Sequence, residues 1–152
     1  MSSQPLATIA VLSIGQMGLG ISQLLTAHNY DIITNVTDRS AATQERAKAA
    51  SIQLLPSDAA LVKQADYILS IVPPRDAVAT AKRVVEALKS GEKARRTDAL
   101  YYLDLNAIAP RTAKEIDVLF KKEAPLIRFI DGGIIGGPPS HHPSPPPTTT
   151  AA

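Results

Sequence analysis

The sequence predicts one α/β domain built on a doubly wound, mostly parallel sheet of six strands. Between residues 6 and 137, short aliphatic runs alternate with longer amphipathic stretches, and several of the runs are apolar throughout, as in strands buried on both faces. Strands that alternate with helices form parallel sheets through right-handed crossovers. A chain of 152 residues can bury a core without disulfides, and this one has no cysteine.

The elements follow in chain order. Strands are predicted at residues 7–13, 31–36, 52–55, 67–72, 100–105 and 127–130. Three crossover helices are indicated by residues at helical spacing: Met17, Ile21, Leu24, Leu25 and His28; Val78, Ala81, Val84, Val85 and Leu88; Thr112, Ile116, Leu119 and Phe120. Ser40 and Ser57 are expected to be N-caps, and Pro110 suits a first helical turn.

The folded domain is predicted to span residues 1–137, and residues 138–152 are expected to form a disordered or polyproline-like tail. This tail contains six of the 12 prolines and no large apolar residue, so it cannot offset the entropy lost on ordering. His141 and His142 are adjacent there without a nearby Cys, Asp or Glu. We therefore expect no metal site.

Composition argues against several classes of partner. The formal charge of +2 is too small to indicate nucleic-acid binding, and the segment with Lys89, Lys93, Arg95 and Arg96 is expected to be a solvated connection. No apolar run approaches the roughly 20 residues of a membrane span, and the N-terminus lacks the pattern of a signal peptide. We expect a cytoplasmic protein with neither a nucleic-acid nor a membrane partner.

The first candidate site is the turn after the first strand, which reads Ser13-Ile-Gly-Gln-Met-Gly18. This is the pattern G-x-G-x-x-G with Ser in the first place. Gly15 would let a pyrophosphate approach the backbone at a helix N-terminus, and Gly18 would let the helix pack close to the strand. The pattern predicts a dinucleotide site in a Rossmann-type fold, although the glycines could serve packing alone. Ser13 puts a Cβ at the tight-turn position.

The end of the second strand predicts which dinucleotide binds. An acidic residue at this tip would chelate the ribose hydroxyls and repel a 2′-phosphate. The tip is instead Asn35-Val36, and Arg39 and Ser40 follow it. Because a guanidinium group matches a phosphate well, we expect NADP rather than NAD. The rival interpretation makes Asp38 the ribose acid and Arg39 a solvated surface charge.

Four motifs in this order resemble the N-terminal NADP-binding domain of the 6-phosphogluconate dehydrogenase and 3-hydroxyisobutyrate dehydrogenase superfamily, the β-hydroxyacid dehydrogenases. The motifs are Ser13-Ile-Gly-Gln-Met-Gly18, Ile71-Val-Pro-Pro74, Asp104-Leu-Asn-Ala-Ile-Ala-Pro110 and Asp131-Gly-Gly-Ile-Ile-Gly-Gly137. The resemblance extends over about residues 6–139. Within the superfamily it is nearest to a phosphogluconate-dehydrogenase-like branch whose substrate is unsettled.

The resemblance implies a role for each matching residue. The pyrophosphate would be held by Gly15, Gln16, Met17 and Gly18, the 2′-phosphate by Asn35, Arg39 and Ser40, the ribose by Val72 and Pro73, the nicotinamide by Asn106, and the substrate by Gly136 and Gly137. Ile135 stands where the family usually has Ser, and Ala107 where Ser or Thr is common. These departures leave the substrate class open.

The resemblance also implies where catalysis would come from. Family members use a Lys as general acid/base on a helix of a C-terminal helical domain, which we expect this chain to lack, either as a truncated gene model or as a genuine short form. Lys114, Lys121 and Lys122 are expected to form the solvated face of their helix. We assign no catalytic residue. The expectation is an NADP-binding domain that needs a helical domain or a partner chain to act, or alternatively a non-catalytic NADP(H)-sensing or partner-binding module.

Overall fold

A computed structural model describes residues 3–90 and 97–140. The strands are β1 (Thr8–Leu12), β2 (Asp31–Thr34), β3 (Gln53–Leu54), β4 (Tyr67–Ser70), β5 (Leu100–Asp104) and β6 (Ile127–Asp131). The helices are α1 (Gln16–Ala27), α2 (Ala41–Ala49), α3 (Asp58–Gln64), α4 (Ala77–Ser90) and α5 (Pro110–Glu123), and a 3₁₀ turn spans Pro74–Asp76. Residues 91–96 and the predicted tail beyond residue 140, with His141 and His142, lie outside the described residues.

All six strands join one sheet in the order β3-β2-β1-β4-β5-β6, and every neighbouring pair is parallel. Each predicted strand is present, so the predicted doubly wound fold is confirmed. The strand order reverses between β1 and β4, because β2 pairs with one side of β1 and β4 with the other. Such a reversal opens a crevice at the carboxyl ends of the strands.

Two apolar clusters cover the two faces of the sheet. The larger one contains the predicted inner faces of α4 and α5, with Val84, Ile116 and Phe120 buried. Phe120 meets Tyr102 of β5 edge to face at 4.8 Å between ring centroids, a favourable arrangement for aromatic pairs. This packing fixes α4 and α5 against the half of the sheet that contains β4 and β5.

The predicted inner face of helix α1 is confirmed in part. Ile21 and Leu25 pack against the second apolar cluster, whereas Leu24 is 39% exposed and the fully buried residues are the small ones, Gly18, Gly20 and Ser22. The helix packs so near the preceding turn that a Cβ on Gly18 would stand 2.2 Å from the carbonyl oxygen of Ser13. Close backbone approach at Gly18, together with the apolar contacts of Ile21 and Leu25, therefore sets the orientation of α1.

The segment after β6 crosses α1 at Gly20. A Cβ on Gly20 would stand 3.1 Å from Pro139 Cδ and 3.3 Å from Pro138 Cβ. Contact with the helix thus extends two residues past the predicted domain boundary at residue 137, and the boundary itself stays a prediction.

The predicted helix starts are confirmed. The hydroxyl oxygens of Ser40 and Ser57 accept hydrogen bonds from the backbone N–H groups of Thr43 and Ala60, and Pro110 opens α5. Within residues 3–90 and 97–140, no helix combines the length and the apolar character needed to cross a bilayer.

Candidate functional site

A cleft of about 440 Å³ opens where the strand order reverses. Its lining comes from the ends of β1 and β4, the turn after β2 and the start of α4: Leu12, Ser13, Arg39, Val72, Pro73, Arg75, Asp76, Ala79, Thr80 and Arg83. The fold therefore brings Arg39 to the same cleft as Val72 and Pro73, as the predicted site requires.

The two glycines of the turn, Gly15 and Gly18, have different surroundings. Gly15 directly precedes α1, and a Cβ placed on it would have no heavy atom within 4 Å. Gln16, Met17 and Gly18 are the first three residues of the helix, so their backbone N–H groups have no partner within it. Open space beside unpaired N–H groups suits a pyrophosphate. Gly18 faces the backbone of Ser13 and serves packing.

Ser13 has φ 75°, in the left-handed region that side chains with a Cβ rarely adopt. The left-handed backbone conformation destabilises a residue other than glycine by about 1–2 kcal/mol. The turn from β1 into α1 imposes this conformation, and glycine in the first place of the pattern would adopt it freely. The substitution noted in the sequence thus appears as local backbone strain beside the cleft.

The side chains after β2 divide between the cleft and the scaffold. The Asn35 Oδ1 accepts from the backbone N–H and the hydroxyl of Thr37 at 3.1 and 2.8 Å, and the Oγ of Ser40 caps α2. Neither Asn35 nor Ser40 is among the residues that line the cleft, whereas Arg39 is. Asp38, the acid of the rival interpretation, is not in the lining, and its Oδ1 lies 3.7 Å from the Nε of Arg39.

An ion pair beside Asn35 was missed by the sequence interpretation. The Arg83 guanidinium donates to both carboxylate oxygens of Asp58, through Nε and through Nη2 at 2.9 Å from Oδ1. The Asn35 amide donates to the same Oδ1 at 2.7 Å. Burial alone would raise the pKa of the Asp58 carboxyl, but these hydrogen bonds outweigh it and hold the pKa below its ordinary value.

The signal for this pair was faint in the sequence. Asp58 follows the N-cap Ser57 and resembles an ordinary first-turn acid, while Arg83 borders the apolar face of α4. The hydrogen bond between them spans 25 residues, so no local pattern links the two.

Asn106 lies inside the protein and ties together the ends of β4 and β5. Its Oδ1 accepts from the backbone N–H of Val72 at 2.8 Å, and its Nδ2 donates to the Ser70 hydroxyl at 3.1 Å. Only 6% of Asn106 is exposed. The side chain therefore holds in place the Val72-Pro73 turn that lines the cleft, and it is not itself part of the lining.

Asp104 stabilises the backbone of Asn106. Its Oδ1 accepts from the backbone N–H of Asn106 at 2.9 Å, and the residue is completely buried. The Oδ2 has no hydrogen-bond partner among the described residues. Burial raises the pKa of Asp104, and the nearby carboxylate of Asp131 adds to the rise.

Gly136 and Gly137, predicted to border the substrate, lie on the segment between β6 and the Pro138–Pro139 contact with α1. Gly136 has φ 113°, a conformation that favours glycine, and a Cβ on either residue would meet no heavy atom within 4 Å. Both are exposed and outside the lining of the cleft, and Ile135 beside them is fully exposed. In the described part of the chain, no group of three or more His, Cys, Asp or Glu side chains could hold a metal ion.

Comparison with known proteins decides the family. The sequence model described as the NAD binding domain of 6-phosphogluconate dehydrogenase matches residues 8–143. The chain belongs to this family. The match includes all four motifs of the predicted resemblance, which is confirmed. Comparison with curated proteins gives no match.

Solved structures share the fold of this 6-phosphogluconate dehydrogenase-type NAD-binding domain. The 3-hydroxyisobutyrate dehydrogenase of Mycobacterium tuberculosis, solved with L-serine, superposes with a TM-score of 0.69 at 20% identity over 86% of this chain and 41% of its own. An imine reductase from Myxococcus stipitatus with NADP+ gives 0.66 at 20% identity, over 86% of this chain and 42% of its own. A variant of that reductase with NAD+ gives 0.68 at 19% identity, over 87% of this chain and 42% of its own. The chain spans less than half the length of these proteins.

Proposed function

We propose that this chain is the NADP-binding domain of a β-hydroxyacid dehydrogenase-like oxidoreductase and that it binds the dinucleotide without catalysing hydride transfer on its own. One observation carries the proposal. Gly15 leaves open space at the N-terminus of α1, at the point where the strand order reverses. The bound dinucleotide would supply the hydride-transfer chemistry.

The residues around the turn have distinct proposed tasks. The backbone from Gly15 to Gly18 would hold the pyrophosphate, since the first N–H groups of a helix are ready donors to an anion. Val72 and Pro73 would line the ribose, and both lie in the wall of the cleft. Asn106 would act near the nicotinamide, where its hydrogen bond to the Val72 N–H keeps the wall in position.

The guanidinium groups of the cleft support NADP over NAD. Its lining contains three arginines, Arg39, Arg75 and Arg83, which are paired with the carboxylates of Asp38, Asp76 and Asp58 in that order. The N–H donors that remain on these guanidinium groups suit a 2′-phosphate better than a bare ribose hydroxyl. Arg39 would contact the phosphate directly. Asn35 and Ser40 would join it only by exchanging their present partners, Asp58 and Thr43.

Turnover would require a second component. The resemblance puts the general acid/base of the family on a Lys of a C-terminal helical domain, so we propose that such a domain or a partner chain completes the enzyme. Gly136 and Gly137 would border the substrate there. Their segment is exposed and open, as a surface that a second component covers would be.

Titration with both reduced cofactors tests the proposal. We expect the purified chain to bind NADPH about tenfold or more tightly than NADH, measured by nucleotide fluorescence, because a charged hydrogen bond to phosphate contributes about 1.5–3 kcal/mol. We expect no nicotinamide-dependent turnover of hydroxy acids. Tighter NADH binding would overturn the choice of cofactor, and no binding of either at millimolar concentration would overturn the function.

A glycine pair gives the matched control. Gly15→Ala and Gly133→Ala each add a methyl group to open space, so neither should change the free energy of unfolding by more than about 1 kcal/mol. Only Gly15→Ala should weaken NADPH binding, because its methyl group occupies the proposed pyrophosphate position. Equal effects of the two variants on binding would contradict the placement of the pyrophosphate.

A second candidate function is a module that senses NADP(H) or docks a partner. Exposed apolar residues at the edge of the sheet favour it: Ile130 of the edge strand β6 is 42% exposed, and Ile135 follows in the next segment. NADPH binding that remains without turnover after a family helical domain is supplied would support this candidate over the first.

A further inference from the structure

We propose that Arg83 is a specificity-determining residue for the 2′-phosphate of NADP and that Asp58 is the positioning residue that holds its guanidinium at the cleft. The inference rests on the proposed NADP site. It adds two residues from α3 and α4 to an end of the site that the sequence assigned to the turn after β2 alone.

The three arginines of the cleft differ in how firmly they are held. The Arg75 side chain is 84% exposed and Arg39 is 56% exposed, and each lies 3.7–3.9 Å from an exposed carboxylate beside it in sequence. The Arg83 side chain is 34% exposed and donates hydrogen bonds to Asp58 from two nitrogens. Exposed pairs of the first kind restrain a long side chain weakly, whereas the two-point contact fixes the plane of the guanidinium.

A fixed guanidinium has an advantage in binding an anion. Immobilising an arginine side chain costs up to about 2 kcal/mol of conformational entropy. For Arg83 the contact with Asp58 already meets most of this cost before any ligand arrives. A phosphate at Arg83 therefore loses less of its interaction energy to ordering than one held by Arg39 or Arg75.

The guanidinium also retains donors for a ligand. It carries five N–H groups, and Asp58 uses the one on Nε and one on Nη2. Among the described residues, Arg83 donates hydrogen bonds to Asp58 alone. The remaining N–H groups belong to a side chain that lines the cleft, so a phosphate there can accept from them.

The charge of Asp58 is compensated within the cluster. Its carboxylate accepts hydrogen bonds from Arg83 and from the Asn35 amide, so the negative charge of Asp58 is already neutralised by a cation. This differs from an acid that would chelate the ribose and repel a 2′-phosphate, because both oxygens are engaged by protein donors.

The test compares two ligands that differ only in the 2′-phosphate, 2′,5′-ADP (adenosine 2′,5′-bisphosphate) and 5′-AMP, on the full chain. We expect Arg83→Gln to weaken 2′,5′-ADP binding about tenfold or more and to change 5′-AMP binding about twofold or less. Lys82→Gln is the matched control, since Lys82 is the preceding residue of α4 and lines a different groove. It should leave both affinities unchanged.

Two further variants keep the test informative if Arg83→Gln folds poorly. Arg83→Lys retains the charge but cannot form the two-point contact, so the preference for 2′,5′-ADP should fall by a smaller factor. Asp58→Asn retains an acceptor but loosens the guanidinium, and it too should reduce the preference while 5′-AMP binding persists.

The outcomes separate the two levels of the proposal. Equal loss of both ligands in Arg83→Gln and Arg83→Lys would show a purely structural ion pair and overturn the role of Arg83, while the proposed function stands. An unchanged preference in these variants would overturn it as well. A wild-type chain that binds 5′-AMP as tightly as 2′,5′-ADP would overturn the NADP assignment itself.

Discussion

Asp58 and Asp104 are two carboxylates that each hydrogen-bond to an asparagine, and their surroundings drive their pKa values in opposite directions. Asp58 accepts from Asn35 and pairs with Arg83, so its pKa is lowered despite burial. Asp104 accepts from the backbone of Asn106, has one oxygen without a partner among the described residues, and has a raised pKa because burial dominates. The cation, rather than the asparagine, makes the difference.

The comparison distinguishes two ways of building a site. At the end near β2, Arg83 of α4 lines the cleft, where Asp58 of α3 holds its guanidinium, and it can meet a ligand. At the end of β4 and β5, the buried amide of Asn106 holds backbone in place and reaches the cleft only through the Val72-Pro73 turn. Changes at the first end should therefore affect ligand preference, and changes at the second should affect stability.

The largest effect should come from removing the buried asparagine. Asn106→Ala leaves the Val72 N–H and the Ser70 hydroxyl without their partner, and we expect it to lower the free energy of unfolding by about 2–4 kcal/mol. Asn35→Ala, at the half-buried end, should cost about 1 kcal/mol. Urea denaturation of both variants measures the difference. Similar losses would show that the two amides play equivalent roles.

A smaller effect should appear in the pH dependence of stability. A raised carboxyl pKa means that the folded state binds more protons, so the Asp104 contribution falls as pH rises from about 4 towards the folded pKa. Asp104→Asn should therefore gain stability relative to the wild type as pH rises above about 4. Asp58 behaves oppositely, because its contribution is complete above about pH 4 and is lost as pH falls through its lowered pKa.

Denaturation of both variants across this range checks the prediction. Relative to the wild type, Asp58→Asn should be most destabilised at neutral pH, and the gap should narrow below about pH 4. Parallel pH profiles for the two variants would mean that Arg83 does not make the pKa of Asp58 differ from that of Asp104.

The smallest effect should come from the strained turn between β1 and α1. Ser13→Gly should raise the free energy of unfolding by about 1 kcal/mol, because glycine adopts a positive φ freely. Ser51→Gly is the control, since Ser51 also has a positive φ (59°) but lies away from the cleft. Calorimetry should show similar gains in stability, with a change in NADPH affinity for Ser13→Gly alone. A shift in affinity for both would exclude a local effect of the turn.

Much of the fold and part of the site could be predicted because the signals are local. Apolar runs identified all six strands, and Ser40 and Ser57 mark helix starts within three residues of the N–H groups they cap. The glycine turn was found for the same reason. The inner face of α1 was predicted only in part. Ile21 and Leu25 pack inward as predicted, but Leu24 is exposed, because the near contact of Gly18 with the backbone of Ser13 also constrains the helix.

Residues that act across the fold were beyond the reach of such patterns. Arg83 and Asp58 are 25 residues apart, and Asn106 bonds to Val72 across 34 residues. The amino-acid sequence alone was enough to place a glycine turn after β1, a basic turn after β2 and a Pro-rich turn after β4. Which side chains face the cleft and which are buried was settled by the tertiary structure, because burial and the partner of each carboxylate depend on contacts between distant elements.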